Sequence, residues 1–165
     1  SVYDTDSEAK RLMESSLEVV QKLSECFGRD IYHNGRLNRG LLSSRVFGKS
    51  DKIVLLNSIV HPVVRFDFYR WSESLNEEIC FVESAILYES RFDELVDEVW
   101  TVTAPEELRI SRVRQRSGLT EEEIKKRMAA QLSEEEKQRR AAHIIWNDGN
   151  VSVIHRVLSL LKSLE

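Results

Sequence analysis

Short unbroken apolar runs, separated by stretches of helical pattern, constrain this chain more than any other feature. Ile79-Cys80-Phe81-Val82 follows a polar turn, Glu98-Val99-Trp100-Thr101-Val102 is a second such run, and Ile144-Ile145-Trp146 a third. A strand with water on one side alternates apolar and polar residues, whereas an unbroken run reads as a strand covered on both faces. Such strands alternating with helices predict an α/β fold, with a parallel sheet and helices on both faces. Ligands of these sheets bind at the carboxyl ends of the strands. That rule gathers residues 4–6, Glu83-Ser84, Thr103 and Asn147 along one edge.

The remaining elements follow from spacing and punctuation. Val2-Tyr3 reads as the tail of a strand. Residues 4–27 read as one helix, with Ala9, Leu12, Met13, Leu17, Val20 and Leu23 at helical intervals. Asn34-Gly35-Arg36 is a turn. Residues 39–47 and 52–60 read as short helices, Pro62 should end the second, and residues 63–74 resume. Thr103-Ala104-Pro105-Glu106 has the spacing of a capping box with proline in the first turn. Ser117-Gly118 is a break, and Thr120 and Ser133, each followed by three glutamates, give two more boxes after it. Asn147-Asp148-Gly149-Asn150 is a turn before a closing amphipathic helix over 151–164.

Composition removes several function classes. The 165 residues suit one domain, 41% of them are hydrophobic, and no repeat is visible. A net charge of −4 argues against nucleic-acid binding by bulk electrostatics, so any anion site is a local cluster of Arg and Lys. Cys26 and Cys80 lie far apart with no metal-ligand spacing, which supports neither a disulfide nor a zinc site. No run of about 18 apolar residues suggests a membrane span. The first residues lack the basic and apolar regions of a signal peptide. A cytoplasmic protein is expected.

Several motifs carry two readings each. Asp4 and Asp6, after a strand end, suit metal binding or proton acceptance from a hydroxyl; they equally suit capping of the next helix. Gly48-Lys49-Ser50 has the ending of a phosphate loop, but Ser43 stands where the pattern needs glycine, so it reads as a surface turn. His61 before Pro62 is a ligand or a helix-ending structural residue. Glu83 and Glu89 are substrate carboxylates or exposed surface. Arg112 and Arg116, four apart, share a helix face, and no carboxylate stands four residues away to neutralise them. Converging guanidiniums suit phosphate, since each donates two bonds to its oxygens. Residues 121–127 instead form an ordinary ion-pair face.

Taken in order, these pieces resemble dephospho-coenzyme A kinase. The resemblance rests on Val2-Tyr3-Asp4-Thr5-Asp6 with Ala9, Leu37-Asn38-Arg39 through Val46-Phe47, and Leu56-Asn57-Ser58-Ile59-Val60-His61-Pro62. It continues through Ile86-Leu87-Tyr88-Glu89, Ala104-Pro105-Glu106-Glu107-Leu108, residues 112–118, Ala130-Gln131 and Asn147-Asp148-Gly149. It implies a three-layer P-loop kinase fold with helical acceptor-binding and lid insertions. The whole of 1–165 would be one kinase domain, with the acceptor-binding region at about 30–75 and the lid at about 112–140. The implied reaction moves the γ-phosphoryl of ATP, with Mg²⁺, to the ribose 3′-hydroxyl of dephospho-coenzyme A, the last step of coenzyme A synthesis. By resemblance, Asp6 positions or deprotonates that hydroxyl and Arg112 is the catalytic arginine. Arg116 is a lid arginine and Arg140 a later phosphate arginine. Arg39, His61 and Glu89 fall at the coenzyme A site, and Asn147 borders the adenine. No metal ligand is assigned within the chain, and a monomer or weak homo-oligomer is expected. Ala142, Trp146 and Glu83-Ser84-Ala85 depart from the family pattern, which touches the adenine pocket.

The resemblance also implies a strand, a glycine-rich loop ending in Gly-Lys-Ser/Thr and a helix ahead of Val2, roughly 30 residues in all. The expectation is therefore a longer natural chain. A protein starting at Ser1 should bind ATP weakly, fold poorly and be inactive. Two other readings stand beside the leading one. One is a nucleoside or nucleoside-monophosphate kinase of the same fold; the other is a non-catalytic interaction domain without a phosphate loop.

Overall fold

The computed structural model describes residues 1–164, which form two compact units, Ser1–Ser90 and a second from Arg91 onward. The first unit opens on β1 (Val2–Asp4), paired in parallel with β4 (Phe81–Glu83) in the register Asp4↔Glu83. Their connection runs through α1 (Thr5–Ser15), α2 (Leu17–Phe27), a hairpin of β2 (Tyr32–His33) and β3 (Arg36–Leu37), α3 (Arg39–Val46) and α4 (Ser50–Glu73). The hairpin closes over Asn34 and Gly35, both at positive φ, which is the turn geometry that asparagine–glycine pairs favour. The core is apolar: Val19, Leu23, Phe27, Ile31, Leu37, Leu42, Val46 and Ile59 are all buried in one cluster. Tyr3 fastens β1 to α4. Its ring lies 5.3 Å from Phe68 and from Trp71, and its hydroxyl donates to Asp67 at 2.8 Å.

Two expectations about helices fail here for identifiable reasons. Residues 4–27 are two helices, because Ser16 turns extended; its N–H closes α1 on Leu12 and its hydroxyl accepts from Val19 to start α2. Leu17 is consequently 87% exposed, although its spacing assigned it to the core. Conversely, Pro62 does not divide α4, which runs unbroken for 24 residues. An internal proline costs about 3 kcal/mol. Burial of Ile59, Val60, Val64 and Phe68 along one face of the same helix, at about 1.5–3 kcal/mol each, exceeds that. His61 is therefore inside a helix and ends nothing.

The second unit pairs β5 (Trp100–Thr103) with β6 (His143–Trp146), again in parallel, in the register Thr103↔Trp146. Three helices connect them: α5 (Glu106–Ser117), α6 (Glu121–Ala129) and α7 (Glu134–Arg140); α8 (Val153–Leu161) follows β6. Gly118, at φ 68°, ends α5, and the box at Thr120 forms in full, with Glu123 reaching back to the Thr120 amide. The box expected at Thr103 does not form. Thr103 is the last residue of β5, Pro105 caps α5 without a side-chain bond, and the Thr103 hydroxyl points elsewhere. Neither apolar strand is covered on both faces within its unit: Phe81 is 37% exposed and Val102 is 57% exposed, beside the buried Thr101 and Thr103. Both strand pairs are nevertheless parallel with helical connections, which is the architecture the alternation predicts.

Candidate active site

Each unit presents the carboxyl end of its parallel pair as a cluster of polar groups. In the first, β1 ends on Asp4. Its carboxylate is spent on capping α1: it accepts from the amides of Asp6 (3.0 Å) and Ser7 (3.1 Å) and from the Ser7 hydroxyl (2.7 Å). The Ser7 hydroxyl above all holds the Asp4 carboxyl below its ordinary range. Asp6, one turn into the helix, is exposed, and its carboxylate has no partner among the described residues. The two readings of this motif thus divide between its two acids: one caps, the other is free. Thr5 donates to the Glu83 carbonyl at 2.9 Å and ties this helix start to the end of β4.

The other candidates of this unit take different positions. Arg39 begins α3 behind the Asn38 cap and meets Glu14 at 3.3 Å in an exposed ion pair. Such a pair contributes at most about 1 kcal/mol, so it does not hold Arg39 from an anionic ligand. His61 is half-buried in α4, and burial depresses its imidazole pKa, which favours the neutral form. Glu89 is exposed in the turns that follow β4. Gly48 and Lys49 form the turn into α4, consistent with their reading as surface rather than a phosphate loop.

In the second unit, Arg112 and Asn147 come together. The Arg112 Nη1 donates to the Asn147 carbonyl at 2.8 Å, and the Asn147 amide donates to the Thr103 carbonyl at 2.7 Å. The turn is stiffened by Asp148, which accepts from the Asn150 amide at 3.0 Å and side chain at 2.9 Å. Those bonds, with Arg112 nearby, lower the Asp148 pKa. Arg116, one turn beyond Arg112 on the same exposed face, has no partner among the described residues. Arg140 closes α7 and donates to Glu136 at 2.6 Å; Arg139 grips the same carboxylate at 2.6 and 2.7 Å. The two guanidiniums, Arg139 first, pull the Glu136 pKa down to about 2.

One group of side chains here escaped the sequence reading. Glu134 accepts from the buried Thr103 hydroxyl at 2.7 Å and pairs with Arg109 at 3.2 Å, with Lys137 at 3.8 Å. This network borders a cleft of about 330 Å³ between α5, the α6–α7 turn and α7. In the sequence Glu134 is one of three glutamates after a capping serine, and nothing distinguishes it from its solvated neighbours.

The matching family is described as dephospho-CoA kinase and covers residues 1–152. The chain belongs to the dephospho-CoA kinase family. It is 35% identical over 164 residues to the dephospho-CoA kinase of Porphyromonas gingivalis, spanning 99% of this chain and 81% of that one. It is 36% identical over 160 residues to that of Corynebacterium diphtheriae, spanning 94% and 80%. The crystal structure of TT1252 from Thermus thermophilus superposes with a TM-score of 0.83 at 32% identity, over 98% of this chain and 83% of that one. A dephospho-CoA kinase from Campylobacter jejuni, 23% identical, shares the fold with a TM-score of 0.70 over 100% and 87%. The α/β fold is thus that of dephospho-CoA kinases, the P-loop kinase class read from the sequence. Two of the sequence departures from the family pattern, Ala142 and Trp146, are both exposed at the ends of β6.

Proposed function

We propose that the full-length protein works as an ATP-dependent kinase of dephospho-coenzyme A, phosphorylating its ribose 3′-hydroxyl to give coenzyme A, with the roles of this chain's residues divided as follows. Asp6 orients or deprotonates the attacking hydroxyl, its carboxylate left unengaged because Asp4 does the capping. Arg112 stabilises the transferring phosphoryl, with Arg116 and Arg140 as further phosphate contacts and Asn147 bordering the adenine. Arg39, His61 and Glu89 contact the coenzyme A portion, within an acceptor region at about 30–75, and residues from about 112 to 140 act as the lid. The chemistry needs little covalent help from protein: positioning and cationic stabilisation supply most of it.

The observation that carries this reading is the Arg112–Asn147 bond. It sets the guanidinium at the carboxyl end of a parallel strand pair, where such folds bind ligands, while its other N–H donors have no hydrogen-bond partner among the described residues. No cluster of three or more His, Cys, Asp or Glu suited to a metal occurs among the described residues. Mg²⁺ enters as part of the Mg·ATP substrate, held mainly through phosphates and water as this ion usually is in kinases. No helix among the described residues is long and apolar enough to cross a membrane. The proposed setting is a cytoplasmic enzyme, monomeric or weakly associated, acting on small molecules.

The test is phosphoryl transfer from Mg·ATP to dephospho-coenzyme A by the full-length protein, with product identified as the 3′-phosphate. Arg112→Ala should lower kcat by about 10²–10³ while the melting temperature holds, because it removes charge stabilisation made mainly in the transition state. Absence of turnover by the full-length protein, or undiminished kcat in its variant, overturns the reading.

A further inference from the structure

We propose that Glu134 is a positioning residue that fixes both ends of the Arg112–Asn147 bond; this rests on the reading of Arg112 as the catalytic arginine. One carboxylate oxygen, Oε2, does two things. It accepts from the Thr103 hydroxyl at 2.7 Å and pairs with Arg109 Nη1 at 3.2 Å. Through Thr103 it holds the end of β5, whose terminal carbonyl takes the Asn147 amide at 2.7 Å. Asn147 in turn offers its own carbonyl to Arg112. Through Arg109, one helical turn before Arg112, the same oxygen holds α5. The strand end and the helix that together place the guanidinium are therefore clamped by a single atom.

Burial makes the clamp stiff. Thr103 is 3% exposed and the Glu134 side chain 18% exposed. Among the described residues the buried Arg109 Nε has no hydrogen-bond partner, so none of them fixes that guanidinium from its Nε side. Gln138 donates to the Thr103 hydroxyl at 3.4 Å, and the Lys137 ammonium stands 3.8 Å from the other carboxylate oxygen. A carboxylate that meets a hydroxyl and two cations cannot be replaced by an amide without leaving the cations uncompensated. The position calls for a negative charge as well as an acceptor.

The experiment is a coupling cycle in the kinase assay. Glu134→Ala should lower kcat about tenfold or more, with KM for dephospho-coenzyme A changed less than about threefold. Glu134→Gln, which keeps an acceptor for Thr103, should recover part of the loss, and Thr103→Val, which cuts only the strand arm, should lose less than Glu134→Ala. In an Arg112→Ala background the further loss from Glu134→Ala should shrink to about twofold, because the group it positions has gone. A residue serving stability alone would instead lower the melting temperature and multiply its effect unchanged in both backgrounds. That outcome, or parent-like kcat in both Glu134 variants, overturns the proposal. Should Glu134→Ala fail to fold, Glu134→Gln and Thr103→Val decide on the same criteria. Parent-like kcat in Arg112→Ala by itself overturns the catalytic reading, and the clamp falls with it; a large Arg112 effect without coupling overturns the clamp alone.

Discussion

The two strand-pair ends are built in different ways. Around β1 and β4 the polar groups are few and the support is apolar. Helices α1 to α4 close on a cluster in which Val19, Leu23 and Ile31 are wholly buried, and the edge leaves the Asp6 carboxylate unengaged among the described residues. Around β5 and β6 Ile124, Ile145 and Leu160 are buried, but α5 and α7 rest on ionic contacts. Neither α5 nor α7 buries a single residue, and the helices are held by Glu134, Arg109, Lys137 and the Glu136 pair of arginines. A hydroxyl acceptor needs a fixed surface of defined shape, which close packing supplies. Phosphate needs cations that meet it without first losing an ideal partner, and exposed ion pairs give up their arginines cheaply.

That contrast can be broken most sharply by activity. Arg112→Ala should cost the largest factor, about 10²–10³ in kcat, with the fold intact. Asp6→Asn should follow at about 10², the ordinary yield of a positioned base. If either loss came instead as a collapse of the melting transition, the separation of packing from chemistry would be wrong. Stability shows the reverse pattern. Leu23→Ala, at a position with no exposure, should cost about 2–5 kcal/mol in urea unfolding. Ile110→Ala, on a helix without buried residues, should cost well under that. Equal costs would sink the claim that α5 depends less on apolar packing than α2 does.

The sequence was most legible where a residue's local pattern and its tertiary role coincide. Gly118 ends α5, Thr120 and Glu123 box α6, and the parallel pairing follows from strands separated by helices. It misled where a local signal was outbid. Pro62 reads as a break, but four buried neighbours on α4 hold the helix together. Leu17 keeps helical spacing, but Ser16 resets the helix and turns it to solvent. The turn at Asn34-Gly35 was visible, while the flanking strands, two residues each, are too short to show a period. In the candidate site, Asp4 and Asp6 are alike in spacing and chemistry; the family resemblance singles out Asp6, and the capping bonds show the physical difference between them. Glu134 was invisible because its role depends on Thr103, 31 positions away. Side chains that act through distant partners leave no periodicity to read.

The smallest effects concern pH, and they separate the two regions by window. His61 lies half-buried in α4, and burial depresses its pKa below the ordinary 6.5. Between that depressed value and 6.5 the unfolded chain binds a proton that the folded one refuses. Stability is therefore full above that window and declines as pH falls through it. His61→Gln should flatten the dependence of the urea midpoint between about pH 7.5 and 5.5. Glu136 has the opposite cause and a lower window. Its pKa falls from 4.5 to about 2, so its pairing with Arg139 and Arg140 contributes above 4.5 and is lost as pH drops toward 2. Because the carboxylate is exposed to screening, Glu136→Gln should change little at neutral pH and lessen the acid sensitivity only below 4.5, and added salt should shrink even that. A mild-acid loss that survives His61→Gln but disappears in Glu136→Gln would reverse the assignment, making the ion-paired region the one that senses pH first.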